Sequence, residues 1–224
     1  MTVMAQPLTE ASDPYCLSPS AAAGLLHDAP WRRFASLGDS LSVGAGDPTP
    51  GYLDLGWPER IRQILCRVRP ELEYLNTGRI GATTQQALDE QSARILAFRP
   101  DLLIVPSGAN DIVRREPDWP QIERTLRRMW ELAAGTGAQL AAFTLGRAFV
   151  VPVFPDWPDR LRALNEITRA LASEYGGVIA DCADHPFNDR PNLLSADRIH
   201  FSTSGQAVIT TLLVRQLAYV LGSA

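Results

Sequence analysis

The sequence carries a serine at the end of an apolar run, in the segment FASLGDSLSVGAGDP (residues 34–48). This residue, Ser40, has a hydroxyl that is a weak nucleophile until a base removes its proton. His200 is the natural base because imidazole titrates near neutral pH. Asp197 lies three residues before it, and on a turn this spacing lets the carboxylate reach the imidazole Nδ1 while Nε2 faces the serine. The three side chains predict a triad in which Ser40 attacks an ester carbonyl.

Attack on an ester creates an oxyanion, which needs hydrogen-bond donors that are already in place. The backbone N–H of Ser40 is one candidate donor. Gly81, in the segment NTGRIGATT, can bring a second backbone N–H close because glycine has no side chain. The side-chain amide of Asn110, in the segment GAND, is a third candidate. We therefore expect Ser40, Gly81 and Asn110 to form an oxyanion hole.

Taken singly, each of these residues also has a purely structural explanation. Ser40 could cap a short helix, and Gly81 could serve a turn. Asn110 is typical of helix caps and Asx turns, and an Asp and a His three residues apart, such as Asp197 and His200, commonly pair in loops. The catalytic prediction depends on their joint occurrence at the ends of predicted strands and just before the last predicted helix.

Two other kinds of site fit the sequence less well. A phosphate-binding P-loop requires a lysine, whereas all 21 basic residues of this chain are arginine. Gly44 and Gly46 also lie too far beyond the apolar run for a dinucleotide-binding loop. A dinuclear metal site usually takes several histidines, and the three in this chain are not at ligand spacing. We therefore expect no metal and no organic cofactor.

Apolar runs that alternate with helical patterns predict the elements that position these residues. The predicted strands are 32–37, 72–76, 101–106, 139–145 and 177–182, and the predicted long helices are 57–68, 83–98, 118–134, 157–175 and 202–221. This alternation predicts right-handed crossovers and a parallel sheet that is covered on both faces. In such a sheet, sites form at the carboxyl ends of the strands.

Length and composition are typical of one globular domain. The chain has 224 residues, of which 46% are hydrophobic and 21% charged, and its formal net charge is -4. This mild charge gives no reason to expect nucleic acid as a partner. No apolar run reaches the ~18 residues of a membrane span, and the cysteines are few and widely spaced. We expect an N-terminal arm at 1–30, a single domain at 31–224 and a cytoplasmic protein without a transmembrane segment.

The order of these motifs resembles that of the SGNH hydrolases, also called GDSL esterases and lipases, and in particular an actinobacterial-like intracellular member. LGDSLSVG is similar to the first block of that family, NTGRIGATT to the second, GAND to the third and DRIH to the fifth. The resemblance extends from about residue 33 to the end of the chain. It assigns the nucleophile to Ser40, oxyanion donors to Gly81 and Asn110, and the other triad positions to Asp197 and His200. Serine 42 is a mild departure, since many members carry threonine there.

The resemblance implies a three-layer α/β/α sandwich, flavodoxin-like, with a five-stranded parallel sheet in the order 2-1-3-4-5. It also implies hydrolysis of a carboxylic ester through an acyl-serine intermediate. Alternatives that use the same residues are acyl transfer in the tailoring of a natural product, and cleavage of a lysophospholipid or a thioester. A binding module on an inactive scaffold is a further alternative, although every catalytic residue type is present.

The walls of the substrate pocket are predicted from the segments 46–57, 111–119 and 146–158. The last segment, GRAFVVPVFPDWP, is unusually apolar for a loop. It is either a buried irregular piece or a lip that contacts an acyl group or a partner, and we favour the lip against the substrate. A partly apolar cleft for a small-molecule ester is predicted from Tyr52, Leu53, Val113, Phe149 and Phe154. We expect a monomer, with a weak dimer as the alternative.

Overall fold

A parallel sheet lies at the centre of the computed structural model, which describes residues 8–222. Its five strands are β1 (Arg33–Ser36), β2 (Glu73–Asn76), β3 (Leu102–Ile104), β4 (Gln139–Phe143) and β5 (Val178–Ala180). They are arranged in the order β2-β1-β3-β4-β5, and every neighbouring pair is parallel. The predicted fold class and strand order are confirmed. Most of the strands end before the predicted carboxyl end. The apolar runs in the sequence continue beyond the strands because residues such as Leu37 and Val105 are buried in the loops that follow.

Helices cover both faces of the sheet. On one face α1 (Pro19–Leu25), α3 (Trp57–Val68) and α8 (Thr203–Val220) pack together, and on the other α4 (Thr84–Phe98), α6 (Trp119–Ala134) and α7 (Trp157–Glu174) do so. The short helices α2 (Ser40–Val43) and α5 (Ala109–Ile112) follow β1 and β3, and a 3-10 turn covers Pro186–Asp189. The predicted long helices all occur with ends within one residue of those expected. Within residues 8–222, no helix is both long and apolar enough to cross a membrane.

The starts of the long helices follow from local sequence. α3, α6 and α7 each begin with Trp-Pro, and proline suits the first turn because the N–H that it lacks would have no partner there. α4 begins with a capping box, in which the Thr83 hydroxyl accepts from the Gln86 N–H and the Gln86 side chain accepts from the Thr83 N–H. These starts lie near the carboxyl edge of the sheet and leave the connecting loops facing that edge.

The chain before β1 packs on the face formed by α3 and α8. The side chain of Asp13 is fully buried and accepts hydrogen bonds from Arg190 Nη2 at 2.5 Å and from the Tyr52 hydroxyl at 2.8 Å. Glu10 pairs with Arg60 at 2.6 Å. Leaving one partner of such a buried ion pair alone is strongly unfavourable, so these pairs hold the N-terminal segment against the sheet domain.

The turn between β1 and α2 requires a glycine. Gly38 has φ +146°, and a Cβ at this position would lie 2.2 Å from the Pro106 carbonyl oxygen. The side-chain amide of Gln91, on α4, accepts from the Gly38 N–H at 3.0 Å and donates to the Gly38 carbonyl at 2.8 Å. This tight turn ends β1 and places Ser40 at the first position of α2.

We expect Gly38→Ala to lower the free energy of unfolding by about 3 kcal/mol, because the added methyl overlaps a backbone carbonyl and the φ angle is strained for alanine. Urea unfolding followed by circular dichroism measures the change. Gly24→Ala is the matched control: Gly24 lies within α1 and has no atom within 4 Å of an added Cβ, so alanine should stabilise the protein by about 0.5–1 kcal/mol. Equal stabilities of the two variants would contradict the close approach at Gly38.

Candidate active site

Ser40 lies at the carboxyl end of β1, where α2 begins. Asp39 caps this helix, since its Oδ1 accepts from the Leu41 N–H at 2.9 Å. The backbone N–H of Ser40 makes no hydrogen bond within the described part of the chain, as expected for the first residue of a helix. The residue is 7% exposed. Within the described residues, Ser40 therefore combines its hydroxyl with a backbone N–H that has no partner.

The predicted triad residues form a continuous chain of hydrogen bonds. His200 Nε2 lies 2.8 Å from Ser40 Oγ, and His200 Nδ1 lies 2.7 Å from Asp197 Oδ2. Partial burial opposes ionisation of Asp197, but hydrogen bonds from His200 and the Ile199 N–H hold the pKa of its carboxyl below the usual range. An ionised carboxylate can only accept, so Nδ1 carries the proton and Nε2 accepts from the serine hydroxyl.

The loop after α2 holds the His200 turn in place. Asp47 Oδ2 accepts from the Ala196 N–H at 2.8 Å, its N–H donates to Ser195 Oγ at 2.7 Å, and its carbonyl accepts from the Thr203 N–H at 2.9 Å. Gly46 lies against the same turn, because a Cβ on it would be 1.8 Å from the Phe201 carbonyl oxygen. The two segments are therefore locked together by contacts that only glycine permits at position 46.

The other predicted oxyanion donors lie on the loops after β2 and β3. Gly81 has φ +76°, a left-handed conformation that favours glycine, and its N–H has no partner within residues 8–222. Asn110 is in α5, and its side-chain Nδ2 donates to the Ala82 carbonyl at 3.1 Å and, at a longer 3.4 Å, to Asp39 Oδ2. Gly81, Asn110 and Ser40 line the same cleft.

A second carboxyl beside Ser40 has the opposite electrostatic environment. Asp39 has no exposed surface, and its burial raises the pKa of its carboxyl to about 7, with the nearby carboxylate of Asp111 acting in the same direction. The hydrogen bond from the Leu41 N–H and the proximity of His200 oppose this shift. Burial also raises the pKa of Asp111, although its Oδ2 accepts from the N–H and the hydroxyl of Thr84.

Sequence patterns did not identify Gln91, which holds the turn before Ser40. It lies on the buried face of α4, four residues from both Ala87 and Ile95, and is itself 3% exposed. A long polar side chain on an apolar helical face was the available signal, since buried polar groups need partners. Only the fold shows that Gln91 forms hydrogen bonds with the backbone of Gly38 and with the Thr77 hydroxyl.

The cleft around Ser40 has a volume of about 200 Å³ and mostly apolar walls. Val113 and Phe149 of the predicted pocket residues line it, and Phe149 packs edge-on against Phe201 with ring centroids 4.8 Å apart. The lining residues that sequence analysis did not name are Leu41, Ile80, Ala109, Leu145, Val150, Val151, Trp157, Arg198 and Ile199. Segment 146–158 therefore supplies one wall of this cleft.

Three predicted pocket residues lie elsewhere, and those assignments are corrected. Tyr52 and Leu53 are absent from the cleft because their loop turns toward the N-terminal segment: the Tyr52 hydroxyl donates to Asp13, and the Leu53 N–H donates to Glu10. Phe154 lines an adjoining cavity of about 600 Å³, which shares Phe149 and Trp157 with the cleft but does not reach Ser40. Its ring stacks on Trp157, and the Arg160 guanidinium lies 4.2 Å from its centroid.

Sequence comparison relates the chain to known proteins. The sequence model of the GDSL-like Lipase/Acylhydrolase family matches residues 36–208. The chain belongs to this family. Within it, the protein is 27% identical over 182 residues to a GDSL lipase of Mycobacterium tuberculosis. The aligned region covers 76% of this chain and 75% of the relative. It is also 28% identical over 126 residues to an arylesterase of Vibrio mimicus, with 56% of this chain and 57% of the relative covered.

Solved structures share the fold of this GDSL hydrolase. A lipase/acylhydrolase from Enterococcus faecalis has a TM-score of 0.65 and 21% identity, and the match covers 84% of this chain and 96% of that one. An acetylxylan esterase from Geobacillus stearothermophilus has a TM-score of 0.66 and 20% identity, covering 83% and 94%. The family and its relatives make this GDSL protein a carboxylic ester hydrolase.

We expect Asp39→Asn to gain stability relative to the wild type as pH rises from 5 to 8. Since the native pKa of Asp39 is raised to about 7, the stability that its protonation contributes is fully present below about pH 4, where the unfolded chain is also protonated, and is lost as pH rises to about 7. Asparagine keeps the helix cap without the buried charge. The difference in unfolding free energy, variant minus wild type, should increase by about 2–3 kcal/mol over this range. Urea titrations at each pH measure it, and parallel pH profiles would refute the buried ionisation.

Proposed function

We propose that this GDSL hydrolase cleaves its ester through a covalent acyl-Ser40 intermediate. The observation that carries the proposal is the chain of hydrogen bonds at 2.8 Å and 2.7 Å that joins Ser40 Oγ to His200 and His200 to Asp197. In the first step, Ser40 Oγ attacks the carbonyl carbon as His200 Nε2 accepts its proton. Asp197 stabilises the resulting imidazolium and keeps the ring in the productive orientation.

The oxyanion of the tetrahedral intermediate is stabilised by three donors. The free N–H groups of Ser40 and Gly81 supply two of them. The third is Asn110 Nδ2. One of its hydrogens is donated to the Ala82 carbonyl at 3.1 Å, which fixes the amide, and the other makes only a long contact of 3.4 Å with Asp39 that the oxyanion can share. Donors that are fixed before the reaction need no reorganisation as charge develops, which is why such groups contribute strongly to the rate.

The first half of the cycle ends when the tetrahedral intermediate collapses and the leaving alcohol takes the proton from His200. In the second half, water attacks the acyl-enzyme with His200 as base, and His200 then returns the proton to Ser40 Oγ as the carboxylic acid leaves. Exposure at this edge supports water as the acceptor: the side chain of His200 is 21% exposed and that of Asp197 is 48% exposed. Acyl transfer to an alcohol or amine uses the same residues, but no feature of the cleft favours it.

The cleft supports a substrate with a short apolar acyl group. Its volume of about 200 Å³ and its walls of Ile80, Val113, Phe149 and Trp157 leave room for a small apolar chain beside Ser40. The relatives are named as a lipase, an arylesterase and an acetylxylan esterase. These names cover different esters, so the walls of the cleft support the choice of acyl group better than the relatives do.

We expect Ser40→Ala and His200→Ala to abolish turnover of p-nitrophenyl butyrate, because they remove the nucleophile and its base. A fluorophosphonate should label the wild-type protein at Ser40, located by peptide mass spectrometry. Ser173→Ala, an exposed serine on α7, is the matched control and should retain turnover and labelling. Absence of labelling on wild-type Ser40 at neutral pH would refute the proposed intermediate.

Asn110→Ala should lower kcat by about 10²–10³, since one oxyanion donor of this kind accounts for that much of the rate. Steady-state kinetics with p-nitrophenyl butyrate measure the loss, and circular dichroism checks that the variant folds. Near-normal kcat in a folded Asn110→Ala variant would remove this residue from the oxyanion hole and leave the donation to Ser40 and Gly81.

A further inference from the structure

A single permanent charge lines the cleft beside Ser40. Among the lining residues only Arg198 carries one, and its side chain is exposed. No ion pair within residues 8–222 includes Arg198. By contrast, the arginines that line the neighbouring larger cavity each pair with a carboxylate: Arg147 with Asp189, Arg162 with Asp159 and Arg169 with Asp181. The guanidinium at the cleft is therefore available to a ligand.

The backbone at Arg198 is unusual for a residue with a side chain. Its φ is +60°, and within residues 8–222 it shares a positive φ with only one other non-glycine residue, Arg99. Glycine adopts this conformation without strain, and strained residues concentrate at sites of function. The neighbouring Asp197 does not neutralise the charge of Arg198. Its carboxylate instead accepts from the His200 ring and from the N–H groups of Ile199 and His200.

The position of Arg198 relates its charge to one side of the ester. His200 must face the leaving oxygen, because it donates the proton that releases the alcohol. Arg198 is on the same short turn, two residues before His200, whereas Gly81 and Asn110 come from other loops of the cleft. A substituent on the leaving alcohol would therefore lie beside the turn that carries Arg198. The acyl group would contact the apolar walls of the cleft.

We propose that Arg198 is a specificity residue that selects esters whose alcohol portion carries an anion, a carboxylate or a phosphate, opposite a short apolar acyl group. The planar guanidinium suits both anions because it offers paired N–H donors. This inference depends on the proposed acyl-Ser40 mechanism, since it takes its orientation from the role of His200.

The test compares matched esters that differ in one charge. 4-Carboxyphenyl butyrate is compared with 4-carbamoylphenyl butyrate, and 1-butyrylglycerol 3-phosphate with 1-butyrylglycerol. The ratio of kcat/KM, anionic over neutral, is measured for each pair in the wild type and in variants, so that the intrinsic reactivity of the esters cancels between proteins. Arg198→Gln should lower the ratio by about fivefold, as expected for a partly exposed ion pair, mainly through KM.

Two further measurements separate charge recognition from a structural role. Arg198→Lys should retain most of the preference, and added NaCl should lower the ratio in the wild type but not in Arg198→Gln. Arg215→Gln is the matched control, because it removes the same charge from an exposed position about 18 Å along α8 from its start. Its ratio should equal that of the wild type.

A fall in the ratio for one pair alone supports the proposal and identifies the anion as carboxylate or phosphate. An unchanged ratio in Arg198→Gln, or an equal fall in Arg215→Gln, overturns the proposal while leaving the acyl-Ser40 mechanism intact. Failure of the wild type to hydrolyse the neutral esters, together with no fluorophosphonate labelling of Ser40, overturns both.

Discussion

Asp47 joins the two parts of the chain that meet at the active site. Ser40 and His200 are 160 residues apart in sequence, and their contact depends on the loop after α2 being held against the loop before α8. Asp47 makes this connection with its N–H, its carbonyl and its carboxylate. Gln206 strengthens it, since its side chain donates to the Ala45 carbonyl and accepts from the Trp57 N–H. Because separation of the two loops would break all of these hydrogen bonds together, the network favours one arrangement of the site.

Two carboxyl groups near Ser40 have opposite electrostatic environments. Asp197 is partly exposed and receives three hydrogen bonds, so its pKa is lowered and it is ionised when His200 needs a partner. Asp39 is fully buried beside another carboxyl, so its pKa is raised to about 7. Such separation of pKa values among neighbouring groups is common where chemistry occurs. Here the buried carboxyl of Asp39 caps α2 and contacts Asn110, whereas the more exposed carboxyl of Asp197 accepts a hydrogen bond from His200.

The apolar wall of the cleft is an ordered loop without regular secondary structure. Asn188 accepts from the Ala148 N–H, and the Trp157 indole donates to the Phe149 carbonyl at 2.8 Å. At the end of β4, the Asn165 side chain both accepts from and donates to the Leu145 backbone. These side chains satisfy backbone groups that a sheet or helix would otherwise satisfy. Segment 146–158 can therefore present Phe149 to the cleft and Phe154 to the neighbouring cavity.

The sequence by itself determined where the strands and long helices follow one another along the chain, because hydrophobic periodicity and the Trp-Pro helix starts are local signals. It also pointed to Ser40, Gly81, Asn110, Asp197 and His200, because residue type, order and position after predicted strands are visible in one dimension. Only the tertiary structure decided which apolar residues face the cleft. Tyr52 and Phe154 looked equivalent to Val113 and Phe149 in sequence, but loop direction placed them elsewhere. Gln91, Asp47 and Arg198 acquired their roles in the same way, since a hydrogen bond or a charge acts only on what the fold brings within a few ångströms of it.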